Sequence, residues 1–348
     1  MKNLLLLSAL LLCPPASAEP VSERITWLLD GTTAAATVTL PEGSGPWPGV
    51  VLVPGSGPTD RDWNSPLLPG RNGSAALLAD AIAKAGFAVI RYDKRFTGPY
   101  AAANGPLLSG KLSLRSHMEE VSSAAAELKK RPGVAADKIF ALTNSEGAVH
   151  ALNAHLAGEP EFAGLILTGA PGRSMGALLR GQIEAQVSPL PQGKEIMAGY
   201  DKLVARFQAG LPFAPEPAVP QAINNMVAGF YVPANLPFMR EFLSADPARL
   251  AAGVKAPVLL VIGGKDMQVD RRLDGAPLEK ALAGNKSASF AYPADADHLL
   301  KHEPKPREQL VPLLVQNNYN AAGRELDGEA LKVIIDWLRS RSAPELKK

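Results

Sequence analysis

A serine set between a buried strand and a small-residue helix is the side chain of this sequence whose setting best suits covalent chemistry. The run Lys138-Ile-Phe-Ala-Leu-Thr-Asn-Ser-Glu-Gly-Ala-Val-His150 begins apolar (139–142) and turns through Thr143-Asn144-Ser145-Glu146-Gly147. It then continues with Ala148, Val149, Leu152 and Leu156 at helical spacing. A serine in such a turn is pushed out at the top of a sheet with its hydroxyl exposed. The helix that follows aims backbone N–H groups at any anion formed there. Gly147 suits a bend that brings its position against the neighbouring strand. Thr143 stands where a G-x-S-x-G turn has glycine, and a β-branched residue is expected to crowd it. Taken alone, the five residues fit a capped helix start equally well.

A hydroxyl becomes a useful nucleophile when a base takes its proton and a third group fixes the tautomer of that base. The chain has 5 histidines. His117 falls on a helical pattern, and His150 and His155 fall on the helix after Ser145; all three read as surface or packing residues. His298 follows a strand (288–292) through the polar turn Pro293-Ala-Asp-Ala-Asp297, which puts it on a loop at the sheet's edge. His302, four residues on, is its rival. The matching carboxylate is expected from the preceding strand, where Val258-Leu-Leu-Val-Ile-Gly-Gly-Lys-Asp266 ends on Gly-Gly followed closely by an acid; Asp270 is the alternative. The chain order Ser145, Asp266, His298 suits acyl transfer on an α/β scaffold. Backbone donors for the developing oxyanion are expected from Val53-Pro54-Gly55-Ser56-Gly57-Pro58, through the N–H of Ser56 or Gly57, paired with that of Glu146.

The elements needed to place these residues are legible. Continuous apolar runs at 50–53, 88–90, 139–142, 165–167 and 258–262 read as strands buried on both faces. Between them, Leu114, Met118, Val121, Ala125 and Leu128 mark one helix face. A helix at 74–85 has Ser74 as expected cap and Gly86 as stop, and Leu331, Ile334, Ile335 and Leu338 follow an Asp327 cap. Strands alternating with helices predict an α/β protein with a mostly parallel twisted sheet flanked by helices. Asp30-Gly31 reads as a hairpin turn, so the sheet is expected to start antiparallel. Between residues 172 and 253 the alternation gives way to proline-punctuated helices rich in Met and Phe. This stretch reads as a helical lid inserted into a core formed by residues 19–171 and 254–348. A few of its large apolar side chains are expected to face a substrate, the rest to form its own core.

Composition narrows the class. Residues 1–18 have a basic start at Lys2, an apolar stretch and Ala16-Ser17-Ala18 before Glu19, the pattern of a signal peptide cleaved near Ala18. The single cysteine, Cys13, lies within it, and Leu12 before it is too large for a lipid-attachment site. Cleavage leaves no thiol for disulfides or catalysis. An exported protein, periplasmic or secreted, is the expectation. A formal net charge of +2 gives no sign of a nucleic-acid partner. No later segment is long and apolar enough for stable membrane insertion. No cofactor is expected, and no metal, because no His/Cys/carboxylate cluster has ligand spacing. The sequence carries no signal for oligomeric state.

These residues resemble the α/β-hydrolase superfamily. Within it, Gly55-Ser-Gly-Pro-Thr-Asp-Arg-Asp62 is similar to a branch of bacterial exported esterase-like members that pairs G-S-G-P-x-D-R-D with R-Y-D-x-R-G and H-S-E-G-G. Here the latter two stand as Arg91-Tyr92-Asp93-Lys94-Arg95 and Asn144-Ser145-Glu146-Gly147-Ala148. Gly264-Lys265-Asp266-Met-Gln-Val269 and Asp297-His298-Leu-Leu fit as well. The chain departs at Thr143, at Asn144 (histidine in the branch) and at Phe96-Thr97 (glycine). The resemblance implies hydrolysis of a small-molecule carboxylic ester with an apolar acyl or aryl group, through an acyl-enzyme on Ser145, His298 and Asp266. A peptidase or amidase on the same residues is the alternative, and a non-catalytic binding protein that kept the fold is another. Asp60, Arg61, Asp62, Asp93 and Arg95 are expected to brace the loops as a charge network.

Overall fold

Asp30 and Gly31 both adopt positive φ, 49° and 77°, as a two-residue hairpin turn requires. They join β1 (Val21–Leu29) to β2 (Thr32–Leu40) in antiparallel register, with Leu29 opposite Thr32. The structure, a computed structural model, describes residues 19–343. The expected leader, with Cys13, lies outside the described residues.

Six further strands follow: β3 (Trp47–Val53), β4 (Ala88–Tyr92), β5 (Val134–Asn144), β6 (Gly164–Thr168), β7 (Val258–Val261) and β8 (Ala288–Ala291). They form one 8-stranded sheet in the order β1-β2-β4-β3-β5-β6-β7-β8. β2 runs antiparallel to β1 and β4, and every other pair is parallel. The predicted α/β class, with a mostly parallel sheet, is what forms.

The period of two along β3 shows how the layers are made. Val51 and Val53 join Val121, Leu128, Val149 and Leu152 of α3 (Leu114–Lys129) and α4 (Gly147–Leu156) on one face. Val50 and Leu52 join Leu78 and Ile82 of α1 (Ser74–Lys84) and Ile334 and Leu338 of α12 (Gly328–Ser342) on the other. Fully burying one such side chain contributes about 1.5–3 kcal/mol, so strands apolar on both faces are fixed in the middle of the stack. Asp327 caps α12 by accepting from the Ala330 N–H at 2.9 Å. Ser74 does not cap α1. Gly73 holds the extended cap position, and Ser74 already lies inside the helix. A short α2 (Ala101–Leu108) follows β4.

Five helices separate β6 from β7: α5 (Met175–Val187), α6 (Gly193–Gln208), α7 (Gln221–Ala228), α8 (Leu236–Phe242) and α9 (Pro247–Ala251). Their large apolar residues, including Met175, Met197, Phe207 and Phe242, belong to the same core as α3 and α4. Buried Asp274 ties the entry to this segment, accepting from the Gly172 N–H at 3.2 Å and from Arg173 Nε at 3.0 Å. After α10 (Ala276–Ala281) and β8, the chain forms α11 (Pro312–Asn317). There Leu299, Leu310, Val315 and Tyr319 make a small separate cluster with Leu68 and Met267. Its short, proline-broken stretches carry no periodicity, and the sequence gives no warning of it.

Thr143 lies within β5, paired with Val53 on one side and Leu167 on the other, and is fully buried. Its hydroxyl donates to Ile166 O at 3.3 Å, and its own carbonyl accepts from Thr168 Oγ1 at 2.6 Å. The bend starts only at Ser145, so the expected crowding is absent: a β-branched residue suits the strand position it occupies. Thr143→Gly should therefore destabilise the protein by about 1–3 kcal/mol through lost packing and added backbone freedom. Urea unfolding measures this; an unchanged midpoint would contradict the packing role.

Candidate active site

Ser145 has φ 51°, in the left-handed region that a non-glycine residue enters only under constraint. The constraints are visible. Its N–H donates to Thr168 O at 2.9 Å, and its carbonyl accepts from the Ala148 N–H at 3.0 Å as α4 begins. A Cβ on Gly147 would lie 2.7 Å from the carbonyl oxygens of both Val53 and Pro54, so only glycine lets the helix start this close to β3. Ala148 and Val149 donate to Ser145 O and Glu146 O, so the N–H groups left at the head of α4 are those of Glu146 and Gly147, at the positive end of the helix dipole.

His298 meets Asp266 through Nδ1 and Oδ2 at 2.7 Å. The other oxygen of Asp266 accepts from the N–H groups of Gln268 (2.7 Å) and Val269 (2.9 Å), which fixes the carboxylate plane. The histidine loop is braced from below by buried Asp297. That carboxylate accepts from the N–H groups of Leu299 and Lys301 and from Arg324 Nη1 at 2.7 Å. Asn144, the departure from the branch's histidine, donates to His298 O at 3.0 Å and ties the serine turn to the histidine loop. Burial disfavours the charged imidazolium, but Asp266, with Asp297 and Asp274, more than offsets it, and the pKa of His298 is raised.

Neither rival reaches this place. His302 is half exposed and meets Asp327 at 3.3 Å. Asp270 caps the turn at Arg271–Gly275 through the N–H groups of Arg272 and Leu273.

Ser145 and His298 line one cavity of about 220 Å³, together with Ser56, Gly57, Trp63, Leu67, Leu68, Gln268, Leu299 and Tyr319. Its roof comes from the loop after β3 and from the segment around α11. No residue of α5–α9 lines it, contrary to the expectation that part of that segment faces the substrate. The physical reason is packing: those side chains are spent on one another and on α3 and α4. Of the expected charge network, Arg61 pairs with Asp93, while Asp62 is paired by Arg91 from outside that network (2.7 Å), bracing the loop after β3. Thr97, at the third departure, donates to Thr59 O and Lys94 O and stitches that loop to the next.

Arg95 belongs elsewhere, in a buried group of ions that local sequence patterns did not reveal. Lys94 Nζ meets Glu146 Oε1 at 2.9 Å, and His150 Nε2 meets the same oxygen at 2.9 Å. Arg95 Nε meets Glu120 Oε1 at 3.1 Å, and His117 Nδ1 meets Glu120 Oε2 at 3.1 Å. The rings of His117 and His150 lie 4.8 Å apart, and Phe238 of α8 packs edge-on against His117. All six charged or imidazole side chains are 2–3 % exposed. The expectation that His117 and His150 are plain surface or packing residues is corrected. His155 does pack, its Nδ1 accepting from the Phe162 N–H.

Burial alone would raise both carboxylates. Lys94 and His150 instead hold Glu146 far below the usual range, and His117 with Arg95 brings Glu120 down to about 2. Burial lowers His150 to about 4 despite its bond to Glu146, so the ring is neutral at pH 7. Its Nε2 then carries the proton donated to Glu146, which accounts for Nδ1 being buried without a partner.

A group whose pKa falls on folding costs stability once only the unfolded chain binds its proton. For His150 that window runs from its ordinary 6.5 down to about 4, and the cumulative loss is on the order of 3 kcal/mol. His298, raised on folding, acts in the opposite sense, and its contribution is lost only at higher pH. Stability should therefore fall on acidification through pH 6.5 to 4. His150→Gln, which keeps an N–H for Glu146 but cannot titrate, should flatten the slope. Denaturant melts of both proteins across this range check it; parallel slopes would place the acid sensitivity elsewhere.

No protein-family model matches the chain. It is 27% identical over 266 residues to the esterase EstD of Thermotoga maritima, a match covering 76% of this chain and 57% of that protein. Among solved structures, it superposes on a proline iminopeptidase from Mycobacterium smegmatis with a TM-score of 0.55 at 15% identity, covering 92% of this chain and 98% of the other. It superposes on the Pyrococcus furiosus esterase Pf2001 with a TM-score of 0.53 at 14% identity, covering 92% and 90%. With this strand order and these neighbours, the chain has the α/β-hydrolase fold.

Proposed function

We propose that the protein is a serine hydrolase that cleaves small carboxylic esters through an acyl-enzyme, with Ser145 as nucleophile, His298 as base and Asp266 as its partner. One observation carries this reading. A constrained serine at a helix N-terminus and a buried histidine, its far nitrogen held by a carboxylate, open into the same cavity. With the Nδ1 proton donated to Asp266, Nε2 keeps a free lone pair. It takes the proton of Ser145 as Oγ attacks the carbonyl carbon, and the oxyanion is received by the N–H groups of Ser56 and Glu146. The imidazolium then protonates the leaving alkoxide, the alcohol departs, and water repeats the cycle on the acyl group.

Trp63, Leu67, Leu68 and Leu299 on the cavity wall support an apolar acyl or aryl group. No carboxylate lines that wall among the described residues, so a substrate ammonium group has no counterion there. This favours esters over aminopeptidase substrates. Residues 172–253 are read as an insertion that supports the site from the α3/α4 side. Export with cleavage near Ala18 rests on the residue pattern alone.

Turnover of p-nitrophenyl esters against aminoacyl-anilides is the test. Esters should be preferred, and Ser145→Ala and His298→Ala should each lower kcat by at least ~10³, with Asp266→Asn costing less. Faster anilide cleavage would favour the peptidase reading, and a folded protein that neither turns over nor labels with a fluorophosphonate would favour the binding protein. The base must be neutral to act, and His298 is raised above 6.5. The acid limb of kcat/KM should accordingly lie above pH 6.5. A limb below that value would mean that another group is the base.

A further inference from the structure

Resting on the reading above, we propose that Lys94 is a positioning residue that fixes the oxyanion site by joining its two halves. The two N–H donors belong to chain segments distant in sequence: Ser56 lies in the loop after β3, and Glu146 at the head of α4. Backbone pairing of β3 with β5 ends at Val53 and Thr143, three residues before each donor. Lys94 Nζ bridges the two segments, donating to Gly57 O at 3.2 Å, one residue from the Ser56 amide, and to Glu146 Oε1 at 2.9 Å. An ammonium has three donors on a single point, so one group can hold two acceptors on different loops.

The surroundings make this link rigid. The Lys94 side chain is 2 % exposed, and Asp93 beside it is taken up by Arg61. Thr59 holds the loop from its other side, its hydroxyl donating to Ser56 O at 2.8 Å and its N–H to Gly57 O at 2.8 Å. On the helix side, His150 donates to the same Glu146 oxygen from one turn along α4. Lys94 also has an electrostatic part to play. Glu146 brings a buried carboxylate to the residue whose N–H is to receive a developing negative charge, and the Lys94 ammonium cancels it.

Lys94→Met alone strands a buried carboxylate and is expected to fold poorly. The informative protein is Lys94→Met/Glu146→Gln, which removes both charges and keeps an acceptor for His150. It is assayed with a p-nitrophenyl ester and with an alkyl boronic acid, whose tetrahedral serine adduct fills the oxyanion site. The expected result is a melting temperature near that of the parent, KM little changed, and kcat and boronic-acid affinity both lower by ~10²-fold. A purely structural role predicts that both recover with the fold. A folded double variant within about threefold of the parent in both overturns the proposal.

Should that variant not fold, Lys94→Arg keeps the charge but displaces the donors. Joint loss of kcat and boronic-acid affinity at constant KM then supports the link, and unchanged values reject it. Ser145→Ala runs alongside. Parent turnover that survives it sinks the serine reading and this inference with it. Turnover that depends on Ser145 but not on Lys94 sinks the inference alone.

Discussion

The left-handed backbone of Ser145 is the constraint on which the site depends. Such a conformation costs an L-residue about 1–2 kcal/mol, so it persists only where its neighbours allow nothing else. Each neighbour here comes from a different part of the sheet. Thr168 at the end of β6 takes the amide, Val53 and Pro54 after β3 press against Gly147, and Asn144 reaches the carbonyl of His298. The serine is thus referenced to three chain segments at once. A change in any of them moves its hydroxyl relative to the imidazole.

Beneath this turn lies a second constraint of a different kind. Arg95, Glu120, His117, His150, Glu146 and Lys94 form a continuous series of buried polar groups running from the hairpin to the head of α4. Arg95 Nη1 reaches Leu29 O and Thr32 Oγ1 at 3.3 Å. Desolvating each ion costs several kcal/mol, and a well-paired series recovers little more than that cost. Net stability is therefore a weak reason for the series to exist. Breaking one member is another matter, since it leaves an uncompensated buried charge worth about 3–5 kcal/mol. The series ties the β1–β2 hairpin, α3 and α4 to one another through paired buried groups.

How much of this was legible follows from the range of each interaction. β3, β5, β6 and β7 were readable because burial on both faces leaves an unbroken apolar run, and the hairpin because Asp-Gly tolerates positive φ. Ser145, Asp266 and His298 were readable because each follows a strand end, where a fixed scaffold presents a side chain. The ion series was not readable, because its members come from the loop after β4, from α3 and from α4, and no local pattern links them. Thr143 misleads for a related reason. Whether position 143 belongs to the turn or to the strand depends on pairing with Val53 and Leu167, which are distant in sequence.

The cavity roof carries the same lesson into specificity. α5–α9 hold most of the large apolar residues between β6 and β7, yet Phe238 of α8 packs on the His117/His150 pair and on Phe242, away from the cavity lining. The wall opposite Ser145 is instead built from two short segments, one around Leu67 and Leu68 and the other from Leu299 to Tyr319. Buried Lys301 staples them together, donating to the carbonyls of Asn72 and Tyr319, and a parallel bridge joins Gly70 to Asn320. Substitutions in α5–α9 can therefore reach the site through α3 and α4, or from Gln182 of α5 through the Gln268 carbonyl, whereas the space open to a bound group is set by how these two stapled segments sit over the turn.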